Sequence, residues 1–252
     1  MLVVRLSALG YGEWRKGVMG YFELARECRG AVLGATTDEG RALWRSRLRD
    51  VGVRVANVMV EMGDLEGAGR HLEAMRGGHR DGDGDGNGNG NGNADGEVVL
   101  METLTWLRLG DVQAARRCLA AVTSGNEDDD ADNPNALLSA SLEALILLAD
   151  AEYDAAANAF TSLREKHPSD AMLTQNLAVC LLYTGRIAEA KALLEEQVDG
   201  PPFHSLIFNL CTVYELCTER NRDAKMGVAS KLASRKGEGA VGWEMRDVDF
   251  KL

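Results

Sequence analysis

Three aspartates that alternate with glycines are the residues of this sequence best placed to do chemistry. Asp81, Asp83, Asp85 and Gly86 occupy the first, third, fifth and sixth places of a calcium-binding EF-hand loop. The twelfth place of such a loop must be a glutamate that binds calcium through both oxygens, and here it is Gly92. A flexible glycine and asparagine linker therefore explains the segment better than a calcium site.

The histidines and cysteines indicate no other site. The four histidines lie far apart and are typical of surface or capping positions: His71, His79, His167 and His204. The five cysteines are odd in number and lack a C-x-x-C pair, which predicts buried thiols of a reducing compartment: Cys28, Cys118, Cys180, Cys211 and Cys217. We find no nucleophile with a base and no phosphate loop. The sequence predicts no enzyme, no bound metal, no cofactor and no small-molecule substrate.

The charge balance argues against nucleic acid as a partner. The net charge is −11, and much of it comes from two acidic segments that we assign to loops. Five arginines between Arg41 and Arg54 fall on more than one face of a helix, which favours a solvated surface. No run approaches the ~18 apolar residues of a membrane span, and the N-terminal stretch is a poor signal peptide. We expect a cytoplasmic protein.

The elements that carry these residues are helices that recur every 34 residues. When residues 137–168 are aligned with residues 171–202, residues of similar type coincide: Ala144 with Ala178, Leu147 with Leu181, Ala156 with Ala190, Phe160 with Leu194 and Pro168 with Pro202. This is the length of a tetratricopeptide repeat. Small residues let paired helices approach closely, a large one fills the space beside them, and proline ends the second helix. The pattern predicts an all-α tetratricopeptide-repeat fold.

The same phase extends over the rest of the chain. The equivalent small residues of other units are Ala68, Ala115 and Ala224. Gly17 with Tyr21 indicates a weaker first unit. We predict a right-handed superhelical solenoid of about six helix pairs, at residues 1–28, 39–76, 97–123, 135–166, 170–198 and 203–235.

Two insertions interrupt this solenoid, which we assign to residues 1–238. They are a flexible Gly/Asn/Asp segment at 77–96 and an acidic loop at 124–134, each between one helix pair and the next. Residues 239–252 form a C-terminal tail that could pack on the last repeats.

One stripe of each first helix in the last three pairs is unusually apolar for a surface. In tetratricopeptide arrays the residues at these helix positions line the concave groove. The stripe consists of Leu138, Ser141, Leu145, Leu148, Met172, Gln175, Val179, Leu182, Leu206, Asn209, Val213 and Leu216. Exposed apolar patches mark binding sites, so we expect the groove to hold a helix or an extended segment of a partner. The alternative is that the solenoid closes over the stripe, or that Trp243, Val248, Phe250 and Leu252 of the tail cover it.

A co-chaperone clamp for a C-terminal carboxylate is less well supported. Such a clamp needs Lys, Arg and Asn side chains that converge from successive helices. Arg54 and Asn57 are suitable, but the first helix of the following pair has Met101, Glu102 and Leu104 at the corresponding turn.

The C-terminal repeats resemble a known family. The telling residues are NLAVCLLYTGRIAEAKALLEEQV, then FNLCTVYELCTERNRDAK, with FNLCTVYEL (Phe208 to Leu216) the most specific string. They are similar to the C-terminal tetratricopeptide domain of the family of TRAPP vesicle-tethering complex subunit twelve, over about residues 135–252 and more loosely over 1–123. Family members also have a long N-terminal region that this sequence lacks, which implies a fragment or a shortened form.

The resemblance implies an architectural subunit of the TRAPP complex, an exchange factor for Rab-type GTPases in transport from endoplasmic reticulum to Golgi. It implies other protein subunits as partners, no exchange activity in this chain, and membrane association only through the complex, at the ER-Golgi intermediate compartment or Golgi. A competing hypothesis is an adaptor of another complex, such as a co-chaperone or cell-cycle scaffold, because a fold alone does not determine function.

Overall fold

Helices make up the described part of the chain. The computed structural model describes residues 2–5, 12–77, 92–123, 134–200, 203–234 and Phe250, and no strand occurs among them. The helices are α1 (Leu2–Arg5), α2 (Trp14–Gly34), α3 (Asp38–Glu61), α4 (Leu65–Gly77), α5 (Gly92–Leu109), α6 (Val112–Thr123), α7 (Pro134–Ala149), α8 (Tyr153–Lys166), α9 (Ala171–Tyr183), α10 (Ile187–Gln197), α11 (His204–Cys217) and α12 (Asn221–Ala233). The predicted all-α fold is confirmed.

The helices from α3 onward fall into the five later pairs that the sequence predicts. The first pair is different, because α2 is one long helix that continues past residue 28 to Gly34, and within the described ranges only the short α1 precedes it. The insertion expected at 77–96 is also shorter, since α5 already begins at Gly92. Most of that insertion and of the acidic loop lies outside the described residues, as do the aspartates of the rejected calcium pattern.

The chain divides into two compact units, residues 1–142 and 143–252. In the first unit each helix from α2 to α6 packs on the next. Tyr21 of α2 and Val51, Val55 and Val58 of α3 lie in one buried cluster. A second cluster contains Ala56, Leu72 and Val98, contributed by α3, α4 and α5. Helix α3 therefore has two buried faces, and it links α2 to the helices that follow.

In the second unit each helix from α8 to α12 packs on the next. The repeated small and large residues have no exposed surface here: Ala144, Ala156, Phe160, Ala178, Ala190 and Leu194. Ala68 and Ala115 are equally buried in the first unit. Buried alanines allow two helix backbones to approach closely, and the larger residues fill the space left beside them.

One repeat position at the C-terminal end and one proline differ from this pattern. Ala224 is half-buried, because the main contact of α12 is with α11 alone. Its neighbour Lys225 is buried instead and pairs with Glu215 at 2.7 Å. Pro168 follows the end of α8 and is exposed, whereas Pro202 lies outside the described residues.

The turns inside the helix pairs need a left-handed backbone residue. Gly63, Gly110 and Gly185 adopt φ values of 81°, 88° and 79° in three of these turns. In two of them an aspartate follows and caps the next helix, as when Asp111 Oδ1 accepts a hydrogen bond from the Ala114 amide at 2.8 Å. The turn between α7 and α8 places Ala151 in the same position, with φ 63°. Alanine is strained there, because its Cβ crowds the backbone.

Replacing Ala151 with glycine is expected to stabilise the protein. The left-handed conformation costs an ordinary residue about 1–2 kcal/mol, and glycine removes this cost. The greater conformational entropy of glycine in the unfolded chain reduces the gain by about 0.4–1 kcal/mol. The net gain in the free energy of unfolding is about 0.5–1 kcal/mol, measurable by urea denaturation. The reverse change, Gly110→Ala, should destabilise by a similar amount. A loss of stability in Ala151→Gly would show that the turn is not strained.

Candidate protein-binding surface

Helix α9 carries the middle part of the stripe that the sequence predicts. Asp170 begins the helix by accepting a hydrogen bond from the Met172 amide at 2.8 Å, which leaves the Met172 side chain in the first turn, 51% exposed. Val179 and Leu182 are half-buried further along. Gln175 is only 8% exposed, and its Oε1 atom is buried with no hydrogen-bond partner. Burial leaves almost none of the Gln175 side chain available to a partner.

Helix α11 places only part of its stripe at the surface. Leu216 is 62% exposed and Asn209 is half-buried. Val213 and Leu206 have no exposed surface. Helix α11 packs on both α10 and α12. The expectation that Val213 faces a partner therefore does not hold, and the same is true of Gln175 on α9.

The stripe of α7 is half-buried along its length. Leu138, Leu145 and Leu148 each keep part of their surface. Leu138 belongs to the first compact unit, and the other two belong to the second. Of the tail residues expected to cover the stripe, Trp243, Val248 and Leu252 lie outside the described residues, and Phe250 is half-buried. The groove remains a prediction, with Met172 and Leu216 as its exposed apolar side chains.

The sequence reasoning missed Tyr183, the most exposed aromatic ring among the described residues of the second unit. Tyr183 is 65% exposed at the last position of α9, one residue beyond the stripe. Its ring stacks on that of Tyr153, the first residue of α8. The signal that was available is an aromatic residue two positions before the turn glycine Gly185, where a helix ends and a side chain projects from the helix end.

A hydrogen bond and an ion pair hold α11 against its neighbours. Tyr214 donates its hydroxyl hydrogen to Glu195 of α10 at 2.9 Å. Burial, followed by the bond to Glu195, raises the pKa of Tyr214 well above its usual value. Lys225 of α12 pairs with Glu215 on the other side. These contacts hold α11, the helix that carries Leu216, against α10 and α12.

Two of the buried thiols, Cys118 and Cys180, are unsuited to nucleophilic chemistry. Burial raises the pKa of Cys118 to about 12 and that of Cys180 to about 11, so both remain protonated at neutral pH. Thr103 donates to the Cys118 sulfur at 3.4 Å. Cys28 and Cys211 are also buried, whereas Cys217 at the end of α11 is exposed, which corrects the expectation that all five are buried.

Thiol labelling should separate these cysteines. We expect N-ethylmaleimide to modify one cysteine rapidly in the folded protein, Cys217, and all five in guanidinium chloride. Mass spectrometry of the intact chain counts the adducts, and a Cys217→Ser variant should take up none on the same timescale. Rapid labelling of that variant would contradict the packing around Cys118 and Cys180.

Alkaline pH should destabilise the fold through the same two thiols. A raised pKa in the folded state means that the unfolded chain loses its thiol protons first, near the ordinary pKa of 9.0. Their contribution is therefore fully present below about pH 9 and is lost as the pH rises towards 12. Thermal melting between pH 8 and pH 11 should show a shallower decline in a Cys118→Ala, Cys180→Ala variant than in the parent. Equal slopes would contradict the prediction.

Neither a metal-binding group nor a membrane span is present in the part of the chain that the structure describes. No three His, Cys, Asp or Glu side chains come together there in a way that would hold an ion. His71 instead lies 3.1 Å from the Gly52 carbonyl oxygen, and burial lowers its pKa. None of the helices in the described ranges combines the length and the apolar character that crossing a bilayer requires.

Known proteins resemble the chain in fold and, over its repeats, in sequence. The tetratricopeptide repeat family model matches residues 147–212. A tetratricopeptide repeat protein from Parabacteroides merdae superposes with a TM-score of 0.58 and 16% identity, over 92% of this chain and 75% of that one. This likeness supports the fold alone.

Two curated relatives confirm the resemblance seen in the repeats. Trafficking protein particle complex subunit 12 of Mus musculus is 33% identical over 99 residues, which is 38% of this chain and 12% of the mouse protein. The protein of the same name from Homo sapiens is 35% identical over 83 residues, 31% of this chain and 11% of the human one. The match thus spans about an eighth of each relative's length.

Proposed function

We propose that this chain is a non-catalytic scaffold that binds other proteins through its helical repeats, as a subunit of the TRAPP vesicle-tethering complex. The chain has a tetratricopeptide-repeat fold, and it is similar to subunit 12 of the trafficking protein particle complex over part of its length. In this proposal residues 1–238 form the repeat array, and 239–252 are its tail. The site of action is cytoplasmic, at the ER-Golgi intermediate compartment or Golgi, and contact with the membrane is indirect, through the complex.

The observation that carries this proposal is the identity of 33% over 99 residues to a protein whose name places it in such a complex. Exposed apolar side chains on the repeats also support this proposal. Met172 and Leu216 expose apolar side chains on two successive first helices, and Val179 and Leu182 continue the stripe. Apolar side chains at a protein surface contribute to binding when a partner removes them from water.

Affinity purification tests the assignment to a complex. The tagged chain should recover the core subunits of the TRAPP complex from cell extracts, as identified by mass spectrometry. Recovery of chaperones or of ubiquitin-ligase subunits in their place would support an adaptor of another complex and would overturn the proposal.

A double variant tests the groove separately. Met172→Lys with Leu216→Lys removes two exposed apolar contacts and should reduce capture of the recovered subunits at least tenfold, because each buried side chain contributes about 1.5 kcal/mol or more. The matched control is Met19→Lys with Leu33→Lys, two exposed residues of α2 in the other unit, and it should capture normally. Full capture by a folded groove variant would remove the groove from the proposal while leaving the complex in place.

A further inference from the structure

A pair of tyrosines forms an exposed aromatic platform at one end of the second unit. The rings of Tyr153 and Tyr183 stack with centroids 4.5 Å apart and planes 8° from parallel. Tyr183 nevertheless remains 65% exposed, so only one of its faces is covered. An aromatic side chain that is held rigid by stacking and is open to solvent on its other face loses little conformational entropy when a partner packs on it.

The platform lies in an open cleft with an acidic rim. The cleft has a volume of about 480 Å³ and is lined by residues 151–155 together with Tyr183 and Thr184. Glu152 and Asp154 supply two exposed carboxylates to this lining. The guanidinium of Arg186 is bound to Glu189 through two contacts of 2.8 and 2.6 Å, and it also attracts the Asp154 carboxylate. The cleft therefore joins an aromatic face to two exposed carboxylates.

The backbone at the edge of the cleft is strained. Ala151 lines the cleft and adopts the left-handed conformation that glycine takes in the other turns. Strained residues of this kind are concentrated at ligand-binding positions, so the strain of Ala151 agrees with a binding role for this turn.

We propose that this cleft, which we call the tyrosine cleft (residues 151–155, Tyr183 and Thr184), binds an arginine side chain presented by a protein partner. The negative face of an aromatic ring attracts a cation that lies over it. A guanidinium group is planar and weakly hydrated, so it can stack on the free face of Tyr183. Its N–H groups point outward in the guanidinium plane and donate hydrogen bonds to a carboxylate such as Asp154. An ammonium group cannot stack in this way, so arginine is preferred to lysine.

The tyrosine cleft uses residues outside the groove stripe. It therefore adds a second contact surface, and it does not depend on the complex to which the chain is assigned. A negative result here would leave the proposed function unchanged, and failure of the affinity purification would leave this inference unchanged.

The test uses the full chain and two fluorescein-labelled peptides, one with alternating arginine and glycine and one with lysine in place of arginine. Fluorescence anisotropy at 0.1 M salt should show tighter binding of the arginine peptide. Tyr183→Ala should weaken that binding about fivefold, because the cation–π contact is lost. Glu152→Gln with Asp154→Asn should weaken it two- to fivefold, with a smaller effect at high salt.

The matched control is Tyr183→Phe, which keeps the ring and should bind as the parent does. Because Tyr183 is largely exposed, its substitution should leave the melting temperature nearly unchanged, and circular dichroism checks this. Equal binding of both peptides, or equal binding by Tyr183→Ala and the parent, would overturn the proposal. Either result would show that the cationic peptides bind through non-specific electrostatic attraction to the net negative charge of the chain.

Discussion

The variant Arg76→Met is expected to lower the free energy of unfolding of the first unit by about 3–5 kcal/mol. Arg76 of α4 binds Glu102 of α5 through two contacts, Nε to Oε2 at 2.8 Å and Nη2 to Oε1 at 3.2 Å. The Glu102 side chain is only 2% exposed. Removal of the arginine leaves a buried carboxylate without its partner, and water cannot replace the lost interaction. The hydrogen bond to Glu102 also raises the pKa of Arg76, so the guanidinium remains charged.

Urea denaturation followed by circular dichroism measures this effect. The matched control is Arg70→Met on the same helix, whose pair with Glu66 is exposed on both sides and contributes at most about 0.5 kcal/mol. The double variant Arg76→Met, Glu102→Leu should recover most of the stability, because it removes the buried charge together with its partner. A loss below about 1 kcal/mol in Arg76→Met would show that water reaches Glu102.

Phe160→Ala should destabilise the second unit by about 3–5 kcal/mol. Phe160 of α8 has no exposed surface, so its removal loses the burial of a whole ring and leaves a cavity. Phe160→Leu inserts the residue that the next repeat carries at the same place, Leu194, and should cost much less because most of the volume is kept.

The control for Phe160→Ala is the same substitution at Phe22 of α2, which is 43% exposed and should cost less than half as much. Both variants are compared with the parent by urea denaturation. Equal losses at the two positions would contradict the burial of Phe160 and its place in the repeat.

The fold was predictable because its signal is local and repeated. The spacing between Ala156 and Ala190 and the glycines at the turns report helix length and turn position, and both depend on residues close together in sequence. The first helix pair was less predictable, because among the described residues only the short α1 precedes α2 and an irregular pair leaves a weak repeat signal.

The candidate surface was predictable only in part. Helical spacing correctly identified Met172 and Leu216 as exposed apolar residues, but it also assigned Val213 to the surface. Periodicity defines which residues share one face of a helix. It does not tell how far the neighbouring helices cover that face, and Val213 is fully buried in the folded chain.

The sequence by itself determined the helix pairs, their turns and the absence of any recognisable catalytic pattern, since these follow from residue types a few positions apart. The tertiary structure alone decided which groups meet across helices. The Arg76–Glu102 pair and the Tyr153–Tyr183 stack each join residues from different helices, and neither has a sequence pattern. Helix geometry is fixed by the backbone every few residues, whereas contacts between helices depend on how whole side-chain surfaces pack together.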